Sequence, residues 1–194
     1  DVSALTSEVI GFDAFDARRD ELAASGVVLK KGVNPSTDLE PEYIAVSGGK
    51  AYITLQENNA IAALDLTSRT FDGVYSAGFE DYGVTPVDID KKDDAYAPKT
   101  YDSLMGIRMP DAIAAFQAEG KTYLVTANEG DAREWGDEDL GTFYLSEDER
   151  DFGEEGVTSP TGAITAENSG LTGKVVFFKS GDFDGLDTGK DYLF

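Results

Sequence analysis

Asn128-Glu129-Gly130-Asp131-Ala132-Arg133 is the run whose residue types most directly permit chemistry. It follows a strand-like stretch, so its two carboxylates leave one strand end with a glycine between them. Carboxylate and amide oxygens gathered at such a place are hard ligands suited to Ca²⁺ or Mg²⁺. Gly130 would let the backbone turn so that Glu129 and Asp131 converge. Asn128 would then orient them, and Arg133 would serve as counter-charge or anion clamp. The same residues also suit a tight turn in which Asp131 pairs with Arg133. A weaker counterpart, Gln56-Glu57-Asn58-Asn59, follows an earlier strand and offers Glu57 and Asn58 as further ligands.

Two other groups invite the same question. Asp182, Asp184 and Asp187 alternate with glycines near the C-terminal end, as in a calcium loop. Their spacing lacks the Asp-x-Asp-x-Asp-Gly order and distal Glu of an EF-hand, so an acidic hairpin turn competes with a metal site. Pro41-Glu42 and Pro110-Asp111 each place an acid after a residue that presets an extended entrance to a strand. Those acids could point toward a common channel or merely satisfy backbone donors in a turn. Nucleophilic catalysis has little to work with, since the chain has no histidine, no cysteine and no Gly-x-Ser-x-Gly elbow. A phosphatase built here would need water activated by a carboxylate-held metal, with Arg108 and Arg133 to clamp the phosphate.

The elements that must position these residues are repeated. Leu39–Ala60 reads LEPEYIAVSGGKAYITLQENNA, and Arg108–Arg133 reads RMPDAIAAFQAEGKTYLVTANEGDAR. Both pass from Pro-acid through Ile-Ala and a Gly-Lys turn into a strand carrying Tyr52 or Tyr123, 71 residues apart. Self-similarity at this spacing points to a stack of small β units. The first unit reads as four strands, Tyr43–Ser47, Ala51–Gln56, Ala60–Leu66 and Arg69–Tyr75, with Gly48-Gly49 making the tight turn. The second repeats two of them, Asp111–Gln117 and Lys121–Ala127. A four-stranded meander of this length is the size of a propeller blade.

LEPEYIAV, AYITLQENNAIAALDL, MPDAIAAF and YLVTANEGDAR together resemble the choice-of-anchor I family, over a stretch from about Ile10 to the C-terminus. The resemblance implies a secreted bacterial β-propeller, outside the cell or on its surface. Some proteins of that family are described as atypical alkaline phosphatases, and some are fused to nucleotidase-type domains. The expected fold is therefore all-β: two to three four-stranded blades of a propeller, long acidic loop insertions and a short N-terminal helix. The repeat units lie near 39–76 and 108–179, with insertions at 76–107 and 128–172. A complete propeller needs at least four blades, so other blades must come from the same longer polypeptide or from other chains.

Charge sets the choice of partners. Acids outnumber bases 38 to 16, a net charge of −22. A binder of phosphate backbones needs a basic footprint, which argues against nucleic acid. Anionic membranes are disfavoured for the same reason, and no apolar run reaches the ~20 residues of a membrane span. Divalent cations, calcium above all, are the partners such a surface favours, although an acidic coat also suits a protein of salty water. Asn128–Glu155 alone holds twelve acids against Arg133 and Arg150, a local charge of −10. Trp135, Phe143, Tyr144 and Phe152 within it argue for ordered structure.

Two functions follow. One is a secreted, cation-stabilised binding or surface-association module; the other is a metal-dependent phosphoesterase with its site on the propeller face. Elsewhere along the chain, Ser3–Gly11 reads as a strand, Asp13–Ser25 as a helix stopped by Gly26, and Val27–Lys30 as a short strand. Tyr75, Tyr82, Tyr96 and Tyr101 argue that the first insertion is packed on the surface. Ser159–Ser169 reads as a linker, Gly173–Lys179 as a buried strand, and Gly181–Leu193 as an acidic turn.

Overall fold

A computed structural model describes residues 6–89 and 95–194. The part of the expected N-terminal strand at residues 3–5 lies outside them, and residues 6–11 form no strand. The N-terminal helix begins as a 3₁₀ turn over Asp13–Arg18 and continues as α1, Arg19–Ala24. Phe12, Phe15 and Leu22 form its apolar side, and Phe12 stacks on Phe71 at 4.5 Å. Gly26 follows at φ 93°, where the chain reverses into β1, Leu29–Lys30. A single helical turn, α2, covers Pro35–Asp38.

The first repeat forms the sheet that alternation and turn residues predict. Its strands are β2 (Ile44–Ser47), β3 (Lys50–Leu55), β4 (Ala60–Asp65) and β5 (Thr70–Ser76), antiparallel in the order β2-β3-β4-β5. Gly48 and Gly49 both take positive φ, which a two-residue hairpin turn needs to match strand twist. Ala51, Ile53 and Leu55 pack on Phe12, Phe15 and Leu22, so the helix covers one face of this sheet.

The segment 76–107 contributes β6 (Phe79–Asp81) and β7 (Leu104–Ile107). Of the four tyrosines expected to order it, Tyr101 is buried and Tyr82 half-buried, whereas Tyr75 and Tyr96 are exposed. The second repeat then forms only a hairpin, β8 (Pro110–Ala118) and β9 (Lys121–Asn128), closed by Glu119 and Gly120 at positive φ. β8 lies against β2 and β3.

The acidic excursion is folded as well. β10 (Glu134–Trp135) pairs with β11 (Tyr144–Leu145), and β12 (Glu147–Asp151) pairs along its length with β13 (Lys174–Phe178). Between them α3 (Ala166–Ser169) is started by a capping box of Thr165 and Asn168, within the stretch read as a linker. β14 (Phe183–Asp184) pairs with β1, and β15 (Asp191–Leu193) runs parallel to β7 to give the sheet order β15-β7-β6. The stretch read as one acidic turn therefore supplies two strands.

The chain is thus mostly β, built of small sheets, and among the described residues no closed barrel or propeller is formed. Beside the core under the first sheet, a second gathers Tyr101, Leu104, Phe152, Val175 and Phe177. A third gathers Val28, Ile107, Met109, Phe178, Phe183 and Tyr192. No helix among the described residues is long and apolar enough to cross a membrane.

Candidate functional site

The two repeated strand ends meet. Gln56, just after β3, donates from Nε2 to the Glu129 carbonyl at 2.8 Å, so the Gln-Glu-Asn-Asn and Asn-Glu-Gly-Asp runs lie side by side. Asn59 reinforces the junction: its Oδ1 accepts from the Met109 amide at 3.1 Å and its Nδ2 donates to the Gly78 carbonyl at 2.9 Å. The amides of the first run thus act as cross-links between backbone segments.

Asn58 belongs to the same scaffold. Fully buried, it accepts from the Glu40 amide through Oδ1 and donates from Nδ2 to the Val28 carbonyl and to Asp38. A buried amide with its donors and acceptor so engaged is not free to turn toward a cation. Glu57 is the residue this scaffold leaves exposed to electrostatic conflict. Its Oε2 is buried without a hydrogen-bond partner. Burial first, with smaller contributions from the nearby Glu40 and Glu42, holds its carboxyl above the usual range, against downward pulls from a hydrogen bond with its own backbone amide and, less, from Arg133. Glu42, although exposed, is also raised, by partial withdrawal from water and then by Asp111, Glu40 and Asp131. The two Pro-acid pairs and the two strand-end motifs therefore crowd carboxylates from both repeats into one region.

Arg133 has partners that its own motif does not contain. Only 2% exposed, it donates from Nη2 to the Asp38 carbonyl at 2.9 Å, to Asp38 Oδ1 at 3.0 Å and to Glu40 Oε1 at 3.1 Å. The Arg133 amide also donates to Ser146 Oγ at 2.8 Å. Asp38, itself 6% exposed, accepts further from the Lys30 amide at 2.9 Å. Asp131 instead accepts from the Ala132 amide at 2.8 Å, so the turn with an Asp131–Arg133 pair does not form. Asp38 and Glu40 are the residues that sequence reasoning missed. They lie in a polar stretch 95 and 93 residues from Arg133, and no local spacing links them.

Gly130 does not take a positive φ. A Cβ at this position would stand 2.4 Å from Phe194 Cβ and 2.5 Å from its carbonyl carbon. Glycine is required there for close approach rather than for a left-handed turn. Glu129 and Asp131 are exposed, and exposed Asn128 accepts from Thr126 Oγ1 at 2.8 Å. Asn128 shares a cavity of about 260 Å³ with Arg108, Glu80, Tyr82 and Phe194. Arg108 donates there to the Ala77 carbonyl at 3.0 Å and to Glu80 at 3.4 Å. The two arginines read as phosphate clamps thus have no partner in common.

The C-terminal acids are distributed among separate tasks. Asp182 accepts from the Tyr144 hydroxyl at 2.8 Å, Asp184 pairs with Arg19 at 2.8 Å, and Asp187 accepts from the Gly189 amide at 2.8 Å. Burial first, then the bond to Asp182, pushes the Tyr144 hydroxyl well above the usual range, leaving it a proton donor at any physiological pH. Among the described residues, no group of three or more acids is assembled in a form that could hold a metal ion. The donor set of Glu129, Asp131, Glu57 and Asn58 does not constitute a preformed calcium cage.

The family model for the choice-of-anchor I domain matches residues 1–185. The chain belongs to this family. Choice-of-anchor domains are generally associated with extracellular or cell-surface proteins of bacteria. No curated protein and no solved structure matches the chain.

Proposed function

We propose that this choice-of-anchor I chain is a repeat module of a secreted, surface-associated β-propeller, and that divalent cations, calcium foremost, stabilise its acidic strand ends. The observation that carries the reading is the crowding of Glu42 and Glu57 from one repeat with Asp111 and Asp131 from the next. Like charges held together by folding destabilise the folded state, and a divalent counter-ion relieves that cost. Because no cage is preformed, such an ion would have to draw exposed Glu129 and Asp131 toward it, with Glu57 as the more buried donor. The remaining blades would come from further repeat units in the same longer polypeptide or in other chains.

Thermal unfolding at fixed ionic strength, with CaCl₂ in one arm and NaCl plus chelator in the other, tests the cation reading. The midpoint should rise with calcium, and saturation about 100-fold over Kd corresponds to roughly 2.7 kcal/mol. Asp131→Asn should diminish the rise. Equal midpoints in the two arms would refute calcium stabilisation.

A further inference from the structure

The internal repeat carries information about faces as well as about strands. Ile113 follows Ile44 by 69 residues, and Tyr123 follows Tyr52 by 71. A two-residue extension of the second hairpin accounts for the difference and leaves every side chain on its original face, because strand alternation has a period of two. In the first sheet, Ile44 and Val46 pair with Ile53 and Ala51 and so share the helix-covered face. The helix does not reach the β2 edge, where Ile44 is 61% and Val46 63% exposed. β8 therefore meets β2 and β3 on the other face, the one bearing Ala45 and Tyr52.

The β8–β9 hairpin turns its half-buried side, Ile113, Ala115, Leu124 and Thr126, toward that face. Ile113 and Ala115 are the repeat equivalents of Ile44 and Val46. Its other side, with Ala114, Phe116, Tyr123 and Val125, is exposed, and Phe116 stacks on Tyr123 at 5.3 Å. One molecule thus contains a completed junction, Ile113 and Ala115 on the Ala45–Tyr52 face. It also displays the two unsatisfied halves of the same junction.

We propose that the Phe116–Tyr123 face docks a second copy of this chain through that copy's β2 edge, Ile44 and Val46, in a head-to-tail repetition of the junction already present. The proposal rests on the repeat-module reading and is independent of calcium. Such a contact is heterologous, so it leaves one open face of each kind at the ends of an assembly. A charge of −22 on each copy opposes association. Screening by salt should therefore strengthen it.

Sedimentation velocity in high NaCl with chelator, across a wide range of protein concentration, tests the proposal. The parent chain should shift from monomer to larger species as concentration rises, and more so at higher salt. Tyr123→Lys and Val46→Lys alter exposed positions, and circular dichroism checks that each variant keeps the parent fold. Each variant alone should associate at least about tenfold more weakly, because a charged side chain is left desolvated in the contact. An equimolar mixture should recover dimers and nothing larger, since each variant supplies the half that the other lacks. A parent chain that stays monomeric throughout overturns the proposal and assigns the face to another partner. A mixture that fails to dimerise, or association that Tyr123→Lys weakens while Val46→Lys leaves it at the parent level, overturns the head-to-tail arrangement.

Discussion

At the scale of single residues, Glu57 and Arg133 share a neighbourhood and each has a buried atom without a hydrogen-bond partner, Oε2 and Nε, but only Arg133 has its charge matched. Arg133 has its charge matched by Asp38 and Glu40 in a buried network, the condition under which a buried guanidinium is tolerated. Glu57 has a buried oxygen with no partner and like charges close by. Its folded-state carboxyl is raised, so the folded protein favours the protonated form. The resulting stability is complete below the ordinary carboxylate range and is lost as pH rises through the raised value. Glu57→Gln should therefore stabilise the fold at neutral pH by about 1 kcal/mol, a rise of roughly 2–4 °C in Tm. The gain should shrink to nothing at low pH. Thermal melts of parent and variant from acid to neutral pH measure it, and a pH-independent difference would show that burial of Glu57 is not electrostatically costly.

At the scale of elements, the molecule depends on places where backbones cross closely. β14 reaches β1 through Gly185, at φ 93°, where a Cβ would stand 2.1 Å from the Val27 carbonyl oxygen. Both left-handed strain and collision with main chain oppose any side chain there. Gly141 offers a contrast: φ is 66°, yet nothing lies within 4 Å of a built Cβ. Gly141→Ala should cost about 1 kcal/mol, the left-handed penalty alone. Gly185→Ala should cost at least ~3 kcal/mol, as overpacking adds to that penalty. Urea denaturation of the two variants separates them, and equal losses would mean that the crossing can relax. The same junction sets Lys30 over the rings of Tyr144 at 4.0 Å, Trp135 at 4.8 Å and Phe183 at 5.1 Å. These cation–π contacts help hold the acidic excursion on β1.

At the scale of the whole molecule, charge and unfinished repetition dominate. With 38 acids and 16 bases, compaction brings like charges together wherever pairs such as Lys174–Glu149 and Arg150–Asp148 do not offset them. Monovalent salt shortens the range of that repulsion to about 10 Å at 0.1 M and about 3 Å at 1 M. The urea midpoint should accordingly rise as NaCl increases over this range, without divalent ions. A flat response would show that self-repulsion does not limit stability, and any calcium effect would then require a discrete site.

The sequence alone was enough for the features that neighbouring residues decide. Alternation along Ala51–Gln56 and Lys121–Ala127, with glycine turns between strands, determined the four-stranded sheet and the second hairpin. The N-terminal helix was legible from Phe15, Leu22 and Gly26. The repeat also made it possible for the two strand-end motifs to converge, because repeated units stack with equivalent ends together, and the bond from Gln56 to the Glu129 carbonyl is what joins them. Tertiary structure decided what each polar side chain does there. Asn58 became a buried cross-link, Gly130 a point of close approach to Phe194, and Arg133 the partner of Asp38. It likewise turned the two long insertions into strands, by pairing β12 with β13 and β7 with β15. Backbone preference acts between neighbours and leaves its period in the sequence. An ion pair or a crossing between residues 95 positions apart leaves no such period, and exists only once the sheets have packed.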